Sequence, residues 1–403
     1  MASLSLLRSQ KPLPSTAVQR VRQLAKSAGV RPALATLVNA RETLIDLAVQ
    51  IQQIPAPTFE EEARSRFVQA YFQQIGLQDV GSDPLFNVFG RYAGRNPQLP
   101  PLIVSAHSDT VFPAETDLTV VRKGKLVYGP GIADNSAGVA GLLTLANTLR
   151  QHKLVPERDI WFVVNSGEEG LGDLRGMREV VNRFSNAHAF IVIEGGMYGY
   201  ILHEGIGVRR YRIQVDAEGG HSWSDFGRTS AIHVLSHIIS RIDMIRLPAA
   251  PKTTFNVGII EGGTSINTIA ASAMLQLDLR SERSSSLQQL VQQVQQLVHQ
   301  AQRRFDDVRI SMVKIGDRPA GVCRRDAEIV QLADAALRFS GCEQIHYLRG
   351  STDANIPLSR GLPAVCVGLG RSANAHRLDE YLDTELIPNG LRQLLLLILG
   401  MTS

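Results

Sequence analysis

The chain has 403 residues, 44% of them hydrophobic and 20% charged, with a formal net charge of +4. This length exceeds what one hydrophobic core usually serves, so two domains are expected, and the ordinary globular composition excludes wholesale disorder. Lys and Arg form no clustered stripe, which excludes nucleic acid as a partner.

The first forty or so residues read as amphipathic helix, with Leu13 to Thr16 as its cap. A second helix runs through RETLIDLAVQIQQI and stops before Pro55. TFEEEARSRFVQAYFQQIG is a third, capped by Thr58 with Glu61 three residues on and closed by Gly76. Apolar strands then alternate with helices. PLIVSAH, DIWFVVNSGEE and HAFIVIEGG are strands, separated by the helices NSAGVAGLLTLANTLRQH and GDLRGMREVVNRF. Continuous apolar strands of this kind predict an α/β sheet covered by helices on both faces.

The pattern changes near Ile206. VRRYRIQVDA, TTFNVGIIEGG, SAMLQLDLRSE and VRISMVKIG read as strands, and TSAIHVLSHIISRI and SLQQLVQQVQQLVHQAQRRF as helices. Their β-α-β-β-α-β order is the ferredoxin-like signature. Residues 205–317 are therefore expected to form an inserted domain. Residues 1–204 and 318–403 then make the two parts of the first domain, completed by RDAEIVQLADAALRFSG and LPAVCVGLG. Cys323, Cys342 and Cys366 are odd in number and form no zinc or disulfide pattern. The N-terminus lacks a signal peptide's apolar run, and LLLLILG is too short to span a bilayer. The expectation is a cytoplasmic protein with no membrane partner.

Polar clusters mark the ends of the predicted strands. His107 and Asp109 are two apart and would face one spot, where a carboxylate can fix an imidazole's tautomer. Asp134 lies in the Gly-rich loop GPGIADNSAG, Glu168 and Glu169 in NSGEEG, Glu194 in VIEGG, and His376 in ANAHRLDEY. Sites in open α/β sheets form beyond the carboxyl ends of strands. So many acidic groups at one edge repel unless cations are present. Two divalent ions balance the carboxylates of Asp134, Glu169 and Glu194 together with one bridging hydroxide, which leaves Glu168 free as a base.

The succession H-x-D, G-x-x-D, G-E-E-G, V-I-E and A-H-x-x-D-E resembles the two-zinc aminoacylase/carboxypeptidase family of metallopeptidases. That family includes glutamate carboxypeptidase, acetylornithine deacetylase, succinyl-diaminopimelate desuccinylase and tripeptidase. The resemblance runs from about Leu44 onward. It implies that residues 1–204 and 318–403 form a phosphorylase/hydrolase-like catalytic domain with a mixed sheet, that residues 205–317 form its lid, that each chain holds two zinc ions (cobalt or manganese as alternatives), and that a homodimer is joined through the lid. It also implies hydrolysis of an amide bond in a small peptide or N-acyl amino acid by a metal-bridging hydroxide, with carboxypeptidase or deacylase chemistry favoured over aminopeptidase.

Carried over residue by residue, His107, Asp134 and Glu194 match the ligands of one metal. Asp134, Glu169 and His376 match those of the other. Asp109 matches the residue that orients His107, and Glu168 the general base. In the lid, GGHSWSD matches the segment whose histidine, here His221, donates to the transition state. GGTSINTIA places the substrate-binding asparagine at Asn267, and LDLRSE places the substrate-carboxylate arginine at Arg280. Gly350, Ser351 and Asp353 match a loop near the substrate. Asn135, Ser136, Trp223 and the run Thr268-Ile269-Ala270 depart from the family pattern, which bears on the substrate. The alternatives are a non-catalytic peptide-binding relative and a single-domain two-zinc aminopeptidase. The inserted region argues against the latter.

Overall fold

The computed structural model describes residues 5–6 and 15–403. The chain divides into two compact units, residues 1–205 with 321–403, and residues 206–320.

The first unit is built on a mixed sheet of ten strands among the described residues. In spatial order these are Ser5–Leu6, His346–Gly350, Tyr200–Gly205, Ala364–Gly368, Ala189–Glu194, Leu102–His107, Ile160–Asn165, Val88–Tyr92 and Gln78–Ser82, with Gly321–Val322 beside Tyr200–Gly205. The four central strands, from Ala364–Gly368 to Ile160–Asn165, are parallel. Their carboxyl ends therefore gather at one edge, which is where an open α/β sheet builds its site. Leu102, Ile103, Val104, Phe162, Phe190 and Ile191 are fully buried there, as expected of strands covered on both faces. The helix Ala137–Gln151 packs on Leu102–His107 and Ala189–Glu194, and Arg175–Arg183 packs on Ile160–Asn165.

The second unit is a four-stranded antiparallel sheet in the order Thr253–Gly262, Ser272–Ser281, Gly207–Asp216, Arg309–Arg318. With the helices Ala231–Asp243 and Ser284–Arg304 this is the ferredoxin-like β-α-β-β-α-β arrangement. Ser272–Ser281 alternates strictly, burying Ala273, Leu275, Leu277 and Leu279. The Gln-rich helix buries Leu287, Leu290, Val291, Val294, Val298 and Ala301, a helical stripe against that face.

Several sequence expectations are corrected. The N-terminal helix is two helices, Ser15–Lys26 and Val30–Val38. Leu13 and Pro14 of the expected cap lie outside the described residues. The helix Ala137–Gln151 starts beyond Asn135 and Ser136, which belong to the preceding turn Ile132–Ser136. Thr58 and Glu61 do not cap a helix with their side chains. That helix runs Glu62–Gln74, and no side-chain hydrogen bond closes its first turn. Among the described residues, no helix is long and apolar enough to cross a membrane.

Phe162 is fully buried on a central strand. Phe162→Ala should lower the unfolding free energy by about 3–5 kcal/mol, the usual cost of a large core truncation. Denaturant titration measures this, and a loss below about 1 kcal/mol would contradict the packing described.

Candidate metal centre

Three adjacent parallel strands deliver the site. Leu102–His107 ends on His107, Ala189–Glu194 ends on Glu194, and Ile160–Asn165 leads into the loop carrying Glu168 and Glu169. Asp134 comes from the turn Ile132–Ser136, and His376 from the loop after the short strand Arg371–Ala373. These side chains converge on Asp134. His107 Nε2 lies 3.1 Å from Asp134 Oδ1 and 3.7 Å from Glu194 Oε2. His376 Nε2 lies 3.2 Å from Asp134 Oδ2 and 3.0 Å from Glu169 Oε1. Each oxygen of one carboxylate thus faces a different imidazole.

The surroundings fix these groups. His107 is buried, and its Nδ1 lies 3.2 Å from the Asp109 carbonyl oxygen and 3.5 Å from Asp109 Oδ1. That leaves Nε2 turned towards Asp134. Asp109 has a second task absent from the sequence expectation. Its Oδ1 accepts the Glu168 amide and its Oδ2 the Glu169 amide, both at 2.9 Å. Glu380 is fully buried and accepts the amides of Ala133 at 2.8 Å, Asp134 at 2.9 Å and Gly131 at 3.3 Å. Asn135, a departure from the family pattern, holds the strand end on both sides of Glu194. It accepts the Gly195 amide at 2.8 Å and donates to the Ile193 carbonyl at 2.9 Å. A Cβ on Gly195 would stand 2.2 Å from the Ala133 carbonyl oxygen, so only glycine lets these two loops approach.

Electrostatics follow from this packing. Burial alone would lower His107, but hydrogen bonds to Asp109, Asp134 and Glu194 outweigh it and raise the imidazole well above its ordinary value. Burial alone would raise Asp134, but hydrogen bonds from both imidazoles hold it well below the usual carboxylate range. Burial, then the Asp134 charge, push Glu169 up. Burial pushes Glu194 up, with His107 opposing. Hydrogen bonds to Asp134 and Glu169 push His376 up to about 10. Positive charge is therefore favoured at two points, one on each side of Asp134.

The donor set fits a pair of divalent cations. His107, Asp134 and Glu194 form one group, and Asp134, Glu169 and His376 a second, with the ligating atoms of each within 4.8 Å of one another. One imidazole nitrogen and two carboxylates per group suit zinc, cobalt or manganese. Of the remaining sequence-expected residues, Asp353 lies near these groups and feels the charges of His107, Glu194 and Asp109. Asp353 is fully buried, accepts from Asn165 Nδ2 at 2.7 Å, and burial pushes its carboxyl up to about 7. The Asn165 backbone carbonyl in turn accepts the Ser108 amide at 2.7 Å, so Asp353 is tied through Asn165 to the residue after His107.

His221, Asn267 and Arg280 belong to the second unit. The first two are brought together, because Gly220–His221 pairs with Thr268–Ile269 and the Ser222 amide donates to the Asn267 carbonyl at 3.0 Å. Arg280 is apart from them on Ser272–Ser281, its Nε donating to Asp278 at 2.6 Å. Of the bracing residues, Glu380 closes the A-H-x-x-D-E motif and Asn135 stood out only as a departure from the family pattern, while Asn165 carried no signal beyond adjacency to motif positions.

Glu380→Leu leaves buried amides without an acceptor, each costing about 1–3 kcal/mol. A loss of at least that size in unfolding free energy is expected by denaturant titration. An unchanged midpoint would mean that the Gly131–Asp134 turn is held by something else.

The profile of peptidase family M20/M25/M40 matches residues 103–400. YqjE of Bacillus subtilis, an uncharacterized protein, is 24% identical over 363 residues, covering 87% of this chain and 95% of its own. Acetylornithine deacetylase of Buchnera aphidicola is 22% identical over 298 residues, covering 70% and 76%. A Staphylococcus aureus tripeptidase structure superposes with a TM-score of 0.76 at 21% identity, over 90% of this chain and 98% of that one. The chain belongs to peptidase family M20/M25/M40, whose members are metal-dependent hydrolases of peptides or amides.

Proposed function

We propose that the protein is a two-zinc exopeptidase or amidohydrolase that cleaves an amide bond of a small peptide or N-acyl amino acid. The observation that carries this reading is Asp134, whose two oxygens face His107 and His376 separately. His107, Asp134 and Glu194 would hold one ion, and Asp134, Glu169 and His376 the other. Bound ions supply Lewis acidity and ready ionisation of water near neutral pH.

The protein's own groups do the rest. Glu168 neighbours a ligand but is not needed as one, since Glu169 already faces His376. With its backbone pinned to Asp109, Glu168 takes the proton of the attacking water and passes it to the leaving nitrogen, acting as base and then acid. His221 donates to the developing oxyanion, and Asn267 binds beside it. Arg280 binds a substrate carboxylate, with Asp278 holding it through Nε. The carboxypeptidase or deacylase reading rests on this arginine and on Glu194.

The lid also supports a dimer. Thr253–Gly262 is an edge strand with Ile259 and Ile260 exposed, an edge that invites pairing. Trp223, Phe226 and Ile266 flank His221 and Asn267 and are 87%, 90% and 102% exposed, which supports a second surface closing over them. In this reading the dimer is twofold through the lid, His221 acts in trans, and closure precedes chemistry.

Glu168→Gln should keep the wild-type metal content while losing about 10²–10⁴ in kcat. Metal analysis beside a hydrolysis screen of dipeptides, tripeptides and N-acyl amino acids tests this. Loss of metal from Glu168→Gln, with metal retained by Glu169→Gln, would reverse the two assignments. The dimer reading predicts complementation. His221→Ala and Glu168→Gln chains are each nearly inactive, and mixing them restores activity because one site of a mixed dimer carries neither defect. Demonstrated subunit exchange without recovered activity would rule out action in trans.

A further inference from the structure

The residues first read as a helix cap have another task. Glu61 is fully buried and makes no side-chain hydrogen bond that caps helix Glu62–Gln74. Its Oε1 accepts the Gly167 amide at 3.1 Å and its Oε2 accepts Arg175 Nη2 at 2.8 Å. The next two amides, of Glu168 and Glu169, end on Asp109. Three consecutive amides thus point at two buried carboxylates, neither of which belongs to a candidate metal group.

The segment before the helix grips the other side of this arrangement too. Thr58 Oγ1 donates to Asp109 Oδ2 at 2.8 Å, and the Thr110 amide donates to the Ala56 carbonyl at 2.9 Å. The buried Arg64 donates to the Ser108 carbonyl at 2.6 Å and to the Ile54 carbonyl at 2.6 Å. Arg175 lies over the Phe59 ring, 4.6 Å from its centroid, and a Cβ on Gly167 would meet the Arg175 side chain at 2.6 Å. Gly167 has φ +64°, so it turns the loop where the clamp needs it turned.

A buried carboxylate is costly. Burial raises the Glu61 pKa, hydrogen bonds from the Phe59 and Glu61 amides oppose that, and the nearby Asp109 charge adds to it. What the carboxylate adds is a hold on both ends of a turn, Gly167 and Arg175, with the Glu168 backbone between them.

We propose that Glu61 and Thr58 are positioning residues for Glu168, Glu61 through the Gly167 amide and Thr58 through Asp109. This rests on the reading of Glu168 as the base. Displacing a catalytic group by about 1 Å can cost about 10² in rate. Glu61→Ala should therefore lower kcat by about that factor, with KM and metal content near wild type. Glu61→Gln keeps an acceptor for Gly167 and should recover most of the rate. Thr58→Ser should likewise outperform Thr58→Val.

The deciding experiment is a double-mutant cycle of Glu61→Ala with Glu168→Gln, run on the panel member the wild type hydrolyses fastest. It is paired with amide hydrogen exchange of residues 166–170. If Glu61 acts through Glu168, its removal costs little more once Glu168 is gone, and exchange at 167–169 accelerates. A full independent loss in the Glu168→Gln background, loss of metal, or unchanged exchange would overturn the proposal. An undiminished kcat for Glu168→Gln alone would instead overturn the base reading, and the inference with it. Should Glu61→Ala fail to fold, Thr58→Val against Thr58→Ser gives the same decision through Asp109.

Discussion

The site depends on one shared carboxylate. Asp134 presents Oδ1 to His107 and Oδ2 to His376, which arrive from residues far apart in the chain. Holding a half-buried carboxylate in that attitude is expensive, and the surrounding structure is arranged to meet the cost. Glu380 takes the amides of the Asp134 turn, Asn135 ties that turn to the Glu194 strand end, and Gly195 lets the two backbones touch. The parallel strands set His107, Glu169 and Glu194 around it, because strands running the same way end at the same edge.

A hierarchy of acidic groups follows. Asp134, Glu169 and Glu194 face the imidazoles directly, while Asp109, Glu61, Glu380 and Asp353 face backbone amides or side-chain donors. The outer carboxylates act on the inner ones by fixing loops. Asp109 serves both levels, since it lies beside His107 and receives the amides of Glu168 and Glu169. A change in an outer carboxylate therefore reaches the centre as a displacement as well as a charge.

Much of this was legible in the sequence. The apolar runs at Leu102, Ile160 and Ala189 located the central strands, and the acidic or imidazole residues at or just beyond their ends are the ones the fold brings together. The ferredoxin-like order could be read from alternating strands and the stripe from Leu287 to Ala301. What was not legible depended on tertiary partners. Thr58 and Glu61 fit the spacing of a capping box, yet their side chains find Asp109, Gly167 and Arg175, residues distant in the chain. Asn135 read only as a departure in residue type from the family pattern, and its hydrogen bonds to Ile193 and Gly195 depend on the fold. The short edge strands at Gln78–Ser82 and Val121–Lys123 carried too little apolar pattern to stand out.

The most direct measurement is anomalous X-ray diffraction at the zinc edge from crystals of the zinc-loaded protein. Two separate peaks are expected, one among His107, Asp134 and Glu194 and the other among Asp134, Glu169 and His376. A single peak, or peaks that leave Asp134 out of either group, would contradict the shared-carboxylate centre.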